Sequence, residues 1–198
     1  MNYDWKIINH GIIFQGYFRM EKYDLQHEKY EGGSTTTFQR EVFERGSAVA
    51  VIPYDPVTDK VVLIEQFRVG AIGTMERPWL KEIVAGIIEP NEDHEQVAIR
   101  ETLEESGCEI QQLEKICQYY VSPGGTTEQC ILYCARVDSS GAGGVFGLEH
   151  EFEDILVEVV DLAQAEIWLK EGVINSAASI IALQWLLMNR DRLRKEWQ

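Results

Sequence analysis

Between residues 85 and 108 the chain reads AGIIEPNEDHEQVAIRETLEESGC, and this stretch constrains the fold more than any other. An apolar run that ends at Pro90 is followed at once by an acidic helical pattern that ends at Gly107, so a strand hands the chain directly to a helix. The predicted helix covers 92–106, with Asn91 as N-cap, Glu92 and Asp93 favourable to the dipole, and Gly107 as the stop. At about 100° per residue, Ala98, Ile99, Thr102 and Leu103 share the side expected to face a core. Glu101, Glu104 and Glu105 gather on the opposite side within about 100° of arc. They form i,i+3 and i,i+4 like-charge pairs, each costing about 0.2–0.5 kcal/mol in an isolated helix, and only Arg100 is adjacent to offset them. One reading is a solvated acidic face. The other is that a divalent cation relieves the repulsion, and hard carboxylate oxygens then select Mg²⁺ or Mn²⁺ over zinc.

Around this stretch, strands and helices are interspersed without regular βαβ alternation, which argues an α+β fold. Residues 5–45 read as a small β-rich segment with a loop signal in the Gly-Gly-Ser-Thr run at 32–37, and the character of the chain changes after Gly46. This places a domain at 1–46 and a second at 47–198. In the second, SAVAVIPY and VVLIEQF form a hairpin across a turn at 55–59. EIVAGII is a strand, and further strands are expected at 116–121, 128–137 and 155–160. Both faces of CILYCA (130–135) are apolar, so that strand is expected mid-sheet. Two more helices are read at 161–172 and after Asn175.

Charge narrows the partners. Thirty-three acidic against 18 basic residues leave a net charge of −15, a field that repels phosphate backbones and anionic lipid. Nucleic acid and membrane are therefore not expected partners, and an anionic substrate must be received by a few placed arginines and by metal cations. The first residues lack a basic region followed by an apolar core, so no signal peptide is expected. No apolar run approaches a bilayer span. The four cysteines, Cys108, Cys117, Cys130 and Cys134, show no C-x-x-C pairing and are expected to be free, in a reducing cytoplasm.

The spacing Gly86, Glu92, Arg100-Glu101, Glu104-Glu105 and Gly107 resembles the Nudix box, G-x5-E-x7-R-E-U-x-E-E-x-G-U with U apolar. All seven fixed polar and glycine positions match, and the departures are Thr102 and Cys108 at apolar positions. Beyond the box, SPGGTTE (122–128), GLEHEFED (147–154), INSAASIIALQW (174–185), REVFERG, VVLIEQFR and PWLKEIVAG resemble the ADP-ribose pyrophosphatase branch of the Nudix hydrolases. That resemblance implies an α/β/α Nudix sandwich with an added N-terminal β-domain exchanged across a homodimer. It also implies hydrolysis of ADP-ribose to AMP and ribose 5-phosphate with Mg²⁺, with Mn²⁺ able to substitute and two or more ions expected.

By the same resemblance Glu101, Glu105, Glu153 and the backbone carbonyl of Ala85 are metal ligands, with Glu104 a further acidic wall. Glu151 is the candidate general base and His150 the runner-up, because imidazole titrates nearer neutrality. If 149–153 is extended, Glu149, Glu151 and Glu153 project to one side; an acidic surface loop is the plainer reading. Arg68 and Arg45 match contacts to the diphosphate or ribose, for which the planar guanidinium fork is suited. Arg40 and Glu41 match positions that hold substrate at the dimer boundary, although each arginine alone reads as a surface ion pair. Tyr17 and Phe18 match the pair that meets adenine from the partner chain; by composition they read as core residues of a small sheet. Ile87 matches a substrate contact. Ser122, Pro123 and Gly124 form a turn whose glycines let backbone N–H groups approach a ligand, and Glu128 is the expected acceptor for the terminal ribose. Two alternatives stand beside this reading: a diphosphatase for another nucleoside-diphosphate sugar such as a GDP-hexose, and a module that binds ADP-ribose without cleaving it. The second is disfavoured because no box glutamate is missing.

Overall fold

The computed structural model describes residues 3–74 and 76–197. They divide into two compact units, one holding the chain up to Ser47 together with Tyr120–Gln129, the other holding Ala48–Tyr119 and the chain from Cys130 onward.

In the first unit β1 (Trp5–Gln15), β2 (Arg19–His27) and β3 (Phe38–Glu44) form an antiparallel sheet in the order β1-β2-β3. A tight turn at Gly16 joins the first two, with the Gly16 N–H donating to the Phe18 carbonyl at 2.9 Å. The register of β1 slips between Ile7 and Asn9 and again between Ile12 and Phe14, so strict in–out alternation is lost and apolar side chains emerge on both faces. All eleven residues of β1 are exposed, Trp5, Ile12 and Phe14 among them. Glu21 of β2 is buried, its carboxylate accepting from the Tyr23 hydroxyl at 2.5 Å and sitting 2.9 Å from His10 Nε2.

The second unit is built on a mixed sheet. Its strands are β4 (Ala48–Asp55), β5 (Lys60–Phe67), β6 (Trp79–Glu82), β7 (Val84–Ile87), β8 (Gln112–Tyr120), β9 (Gln129–Arg136), β10 (Gly144–Phe146) and β11 (Ile155–Asp161). The main path runs β10-β11-β5-β4-β9-β8. β4 alternates perfectly: Ala50, Ile52 and Tyr54 face one core, Val49 and Val51 the other. Against the first face pack α2 (Leu162–Glu171) and α3 (Ala177–Glu196), through Leu162, Ala165, Leu183, Leu186 and Leu193; against the second packs α1 (His94–Ser106), through Val97 and Ala98. The result is the expected α/β/α layering. β9 lies between β4 and β8 with Cys130, Leu132 and Cys134 in one core and Ile131, Tyr133 and Ala135 in the other, as its two-sided apolar pattern predicts. None of the four cysteines is in a disulfide. Among the described residues no helix is long and apolar enough to cross a membrane.

Several local expectations are corrected. The β4–β5 hairpin pairs only beside its turn, Tyr54 with Val61 and Asp55 with Lys60. Beyond it the strands part, and β6 pairs with β5 while β7 pairs with β4. EIVAGII is therefore not one strand: it breaks at Ile83, whose backbone N–H is taken by the buried Ser179 hydroxyl of α3 at 3.1 Å. Helix α1 begins two residues later than expected. Asp93 is its N-cap, accepting from the Glu95 and Gln96 N–H groups at 3.0 and 3.2 Å, whereas Asn91 takes a left-handed conformation in the turn after Pro90.

Candidate active site

Helix α1 buries two of the four residues its apolar pattern turns inward, Ala98 and Thr102, but is rotated so that the other two face out. Val97, Ala98, Thr102, Glu105 and Ser106 are buried, whereas Ile99 and Leu103 are 43% and 51% exposed. On the helical wheel, Glu105 lies near the middle of the buried arc. A buried carboxylate needs a donor, and Glu105 has one: its Oε2 accepts from the Ala85 N–H of β7 at 2.9 Å. Burial pushes the Glu105 carboxyl up to about 8, opposed by that bond and by Arg68, and reinforced by the charges of Glu101 and Glu153. Burial likewise pushes Glu101 up, against the pull of Arg100 and with the push of Glu104 and Glu153.

Gly86 explains how Glu101 fits. A Cβ at position 86 would fall on the Cγ, Cδ and Oε1 atoms of Glu101, so the absent side chain of β7 is the space the carboxylate occupies. On the outer side, Arg100 holds three acids at once: Glu101 at 2.9 Å, Glu104 at 3.0 Å and Glu92 at 3.6 Å.

The segment 147–153 is not extended. Glu149–Glu151 form a 3₁₀ turn ended by Phe152 in the left-handed region. The Glu151, Phe152 and Glu153 N–H groups donate back to the carbonyls of Leu148, Glu149 and Leu148. The Leu148 N–H donates to Glu153 Oε2 at 3.1 Å. Gly147, at φ 106°, lies so close to Glu153 that an added Cβ would come within 2.7 Å of its Cβ. The acidic alternation therefore winds into a closed loop instead of presenting three glutamates on one side. The Glu151 side chain is exposed and lies 3.6 Å from His150.

Among the described residues, no three His, Cys, Asp or Glu side chains converge as a ready-made metal set. Each candidate carboxylate already has another partner: Glu101 and Glu104 on Arg100, Glu105 on the Ala85 N–H, and Glu153 on the Leu148 N–H. The donor set nevertheless fits a divalent cation. It is all hard oxygen, its charges repel one another, and burial with the neighbouring Glu101 and Glu153 charges pushes its most buried member toward neutrality. The cradle at Gly86 keeps Glu101 facing in. Arg68, at the end of β5, pairs with Glu82 at 2.6 Å, and Ile87 closes β7 opposite Ala48.

The other predicted substrate residues lie in the first unit, and most of them cluster there. The rings of Tyr17 and Phe18 meet edge to face at 4.8 Å, Phe18 meets Phe43 at 5.2 Å, and the Arg45 guanidinium stands over Phe18 at 5.6 Å. Arg45 also pairs with Glu128 at 3.7 Å. The turn at Ser122-Pro123-Gly124 is closed by the Gly125 and Thr126 N–H groups donating to the Ser122 carbonyl, both at 3.0 Å, and the Gly125 carbonyl accepts from the Phe43 N–H at 2.8 Å. Arg40 stands instead over the Phe38 ring at 4.7 Å and donates to the Gln39 carbonyl. Glu41 is exposed opposite Lys22. Sequence reasoning missed Phe43 and Glu44, which accepts from the Thr127 hydroxyl at 2.5 Å; both lie inside the REVFERG segment, where the arginines drew attention first.

Comparison with known proteins gives the following. The NUDIX domain family matches residues 33–183. Over 194 residues the chain is 44% identical to the ADP-ribose pyrophosphatase of Escherichia coli, covering 98% of this chain and 93% of that protein. It is 33% identical over 194 residues to the GDP-mannose pyrophosphatase of Cronobacter sakazakii, covering 94% and 96%. A crystal structure described as an ADP compounds hydrolase superposes with a TM-score of 0.70 at 22% identity, covering 97% of this chain and 95% of that one, a likeness of fold.

Proposed function

The chain belongs to the NUDIX domain family, and from that premise we propose that it hydrolyses the diphosphate of ADP-ribose to AMP and ribose 5-phosphate. The observation that carries this reading is the inward-facing pair Glu101 and Glu105, one turn apart on α1, the first seated over Gly86 and the second buried on the Ala85 N–H. A helix tolerates buried like charges of this kind where a cation completes them.

Mg²⁺, or Mn²⁺ in its place, is the proposed cofactor, in two or more ions held by Glu101, Glu105, Glu153 and the Ala85 carbonyl, with Glu104 adding negative charge. A divalent ion there supplies the positive charge against which the diphosphate's negative charge builds during cleavage. Glu151 is the proposed base: it accepts a proton from the attacking water as that oxygen bonds to phosphorus and the bridging phosphoanhydride bond breaks. Its exposed position leaves it free to receive that proton from solvent-filled space. Arg68 and Arg45 bind the diphosphate or ribose; among the described residues each holds a single ion pair, with Glu82 and Glu128, so donors remain for an anion. Tyr17 and Phe18 offer aromatic faces to adenine, Glu128 accepts from a ribose hydroxyl, and the Ser122-Pro123-Gly124 turn brings backbone close to ligand. Ile87, Arg40 and Glu41 complete the proposed contacts.

The fully exposed β1, with Trp5, Ile12 and Phe14 uncovered, supports a homodimer formed through the N-terminal sheet, with that domain exchanged between subunits. Four cysteines outside any disulfide are at home in a reducing cytoplasm.

The test is ADP-ribose with Mg²⁺ in ¹⁸O-labelled water. AMP and ribose 5-phosphate, with the label in one of them, are expected. Glu105→Gln should lower kcat by at least ~10³-fold while the protein still melts cooperatively. Intact ADP-ribose, or full activity in the variant, overturns the assignment. A GDP-hexose is the second reading, favoured by the likeness to a GDP-mannose pyrophosphatase, and a parallel assay with GDP-mannose decides between them.

A further inference from the structure

Among the described residues three that are not glycine have positive φ: Asp59, Asn91 and Phe152. Aspartate and asparagine tolerate the left-handed region because their short polar side chains bond locally, but for a bulky side chain it is an outlier. Phe152 is also the most exposed large apolar residue described, at 96%. The two extremes fall on one residue, and that residue stands between Glu151 and Glu153.

The loop explains how the conformation is held. The bonds from Phe152 N–H to Glu149, from Glu153 N–H to Leu148 and from Leu148 N–H to Glu153, with Gly147 pressed on Glu153, hold position 152 in this conformation. Glycine or asparagine would satisfy this geometry at lower cost. A phenyl ring there serves neither the backbone nor a core. Lone exposed apolar residues are ordinary; one that also strains its backbone, on a loop of acids, is not.

We propose that Phe152 is a substrate-recognition residue, its ring covered during turnover by a ring of the bound nucleotide sugar, either purine or pentose. The inference rests on the function proposed above, in which the flanking glutamates act on the same substrate. The chemistry narrows the occupant. A diphosphate offers nothing to a phenyl face, whereas a purine stacks on it and a pentose packs its C–H face against it. Strained backbone conformations collect at ligand clamps for this reason: the surrounding bonds fix the side chain in place before the ligand arrives.

The experiment compares wild type with Phe152→Gly, Phe152→Asn, Phe152→Leu and Phe152→Tyr. Glycine and asparagine accept the left-handed conformation, so the loop keeps its bonds, and melting temperatures at or above wild type are expected. The KM for ADP-ribose should increase ~10-fold or more in both, the scale of one lost stacking contact, with kcat within about threefold; leucine should fall between and Phe152→Tyr should restore KM. Inhibition by one of the two products, AMP or ribose 5-phosphate, should weaken in parallel and so identify the ring concerned. An unchanged KM in the glycine and asparagine variants overturns the proposal. So does a fall in kcat alone, which would assign Phe152 to loop geometry, or a change of oligomeric mass by light scattering with KM unaltered, which would assign it to contact with a second copy of the chain. Wild-type turnover separates the two levels. If ADP-ribose is cleaved and KM does not respond, only the role of Phe152 falls; if wild type neither binds nor cleaves ADP-ribose, both fall.

Discussion

Gly86→Ala separates the fold from the function at a single atom. The added Cβ would lie within the van der Waals envelope of three Glu101 atoms, Cγ, Cδ and Oε1, and all three belong to a flexible side chain. Position 86 sits in β7 opposite Val49 with ordinary strand geometry, so alanine strains no backbone. What must move is the carboxylate. Pushing Glu101 into a poorer rotamer costs about 0.5–1.5 kcal/mol, and losing its half-exposed ion pair with Arg100 costs about 0–1 kcal/mol. A total near 1–2 kcal/mol lowers the melting temperature of a chain this size by about 2–8 °C. Activity should respond on another scale, because a catalytic group misplaced by about 1 Å can cost 10²-fold. The expected result is a cooperative melt a few degrees below wild type and a kcat/KM for ADP-ribose at least ~10²-fold lower. Scanning fluorimetry and a coupled phosphate-release assay on the same preparation read both. Turnover within about twofold of wild type would refute the assignment of Glu101, and a collapse of the melt would refute the claim that only a side-chain end is displaced.

Three further outcomes are expected. Asp55 is buried and accepts from the Val57, Thr58 and Ser139 N–H groups and from the Ser139 hydroxyl. Burial alone would push its carboxyl up, and the bonds from Ser139 and Thr58 outweigh this, bringing it down to about 2. The stability it contributes, about 2–3 kcal/mol, is present above pH ~4 and lost as pH falls toward 2. The melting-temperature gap between wild type and Asp55→Asn should therefore narrow from pH 6 to pH 2, and a constant gap would contradict this. The buried Thr102 hydroxyl has no hydrogen-bond partner among the described residues; Thr102→Val should raise stability by about 1 kcal/mol with activity unchanged, and a lower melting temperature would mean the hydroxyl is bonded. Ile12→Glu on β1 should halve the solution mass seen by light scattering without unfolding the chain, and an unaltered mass would exclude that strand from an interface.

The box was legible because its residues are close in sequence and their roles depend on spacing. Gly107 stops α1 in the left-handed region, and the two-sided apolar pattern of β9 put it inside the sheet. The orientation of α1 was legible only in part: Ala98 and Thr102 are buried as expected, Ile99 and Leu103 are not. Apolar periodicity turns Ile99 and Leu103 inward, but the N–H of Ala85, twenty residues upstream, gives Glu105 a partner that lets it win the buried position. Nothing local announces the break at Ile83 either, since an apolar run carries no sign of which strand it will pair with and Ser179 lies 96 residues away. The acidic alternation at 149–153 suggested an extended segment, and the short-range bonds to Leu148 and Glu149 wound it into a turn. At 91–93, two capping residues competed; asparagine took the conformation it tolerates better, and aspartate took the cap.

The hold of Arg100 on three carboxylates has a consequence for the life of the protein before any ion arrives. Small zinc modules stay unfolded until metal pays for their assembly. Here a guanidinium serves as a resident placeholder, so the acidic helix is born with part of its counter-charge attached. On the proposed metal assignment, the helix would not depend on an ion for all of its neutralisation while the chain folds. On that assignment, an incoming cation would compete with an arm already in position, and its binding would be read in the posture of one arginine.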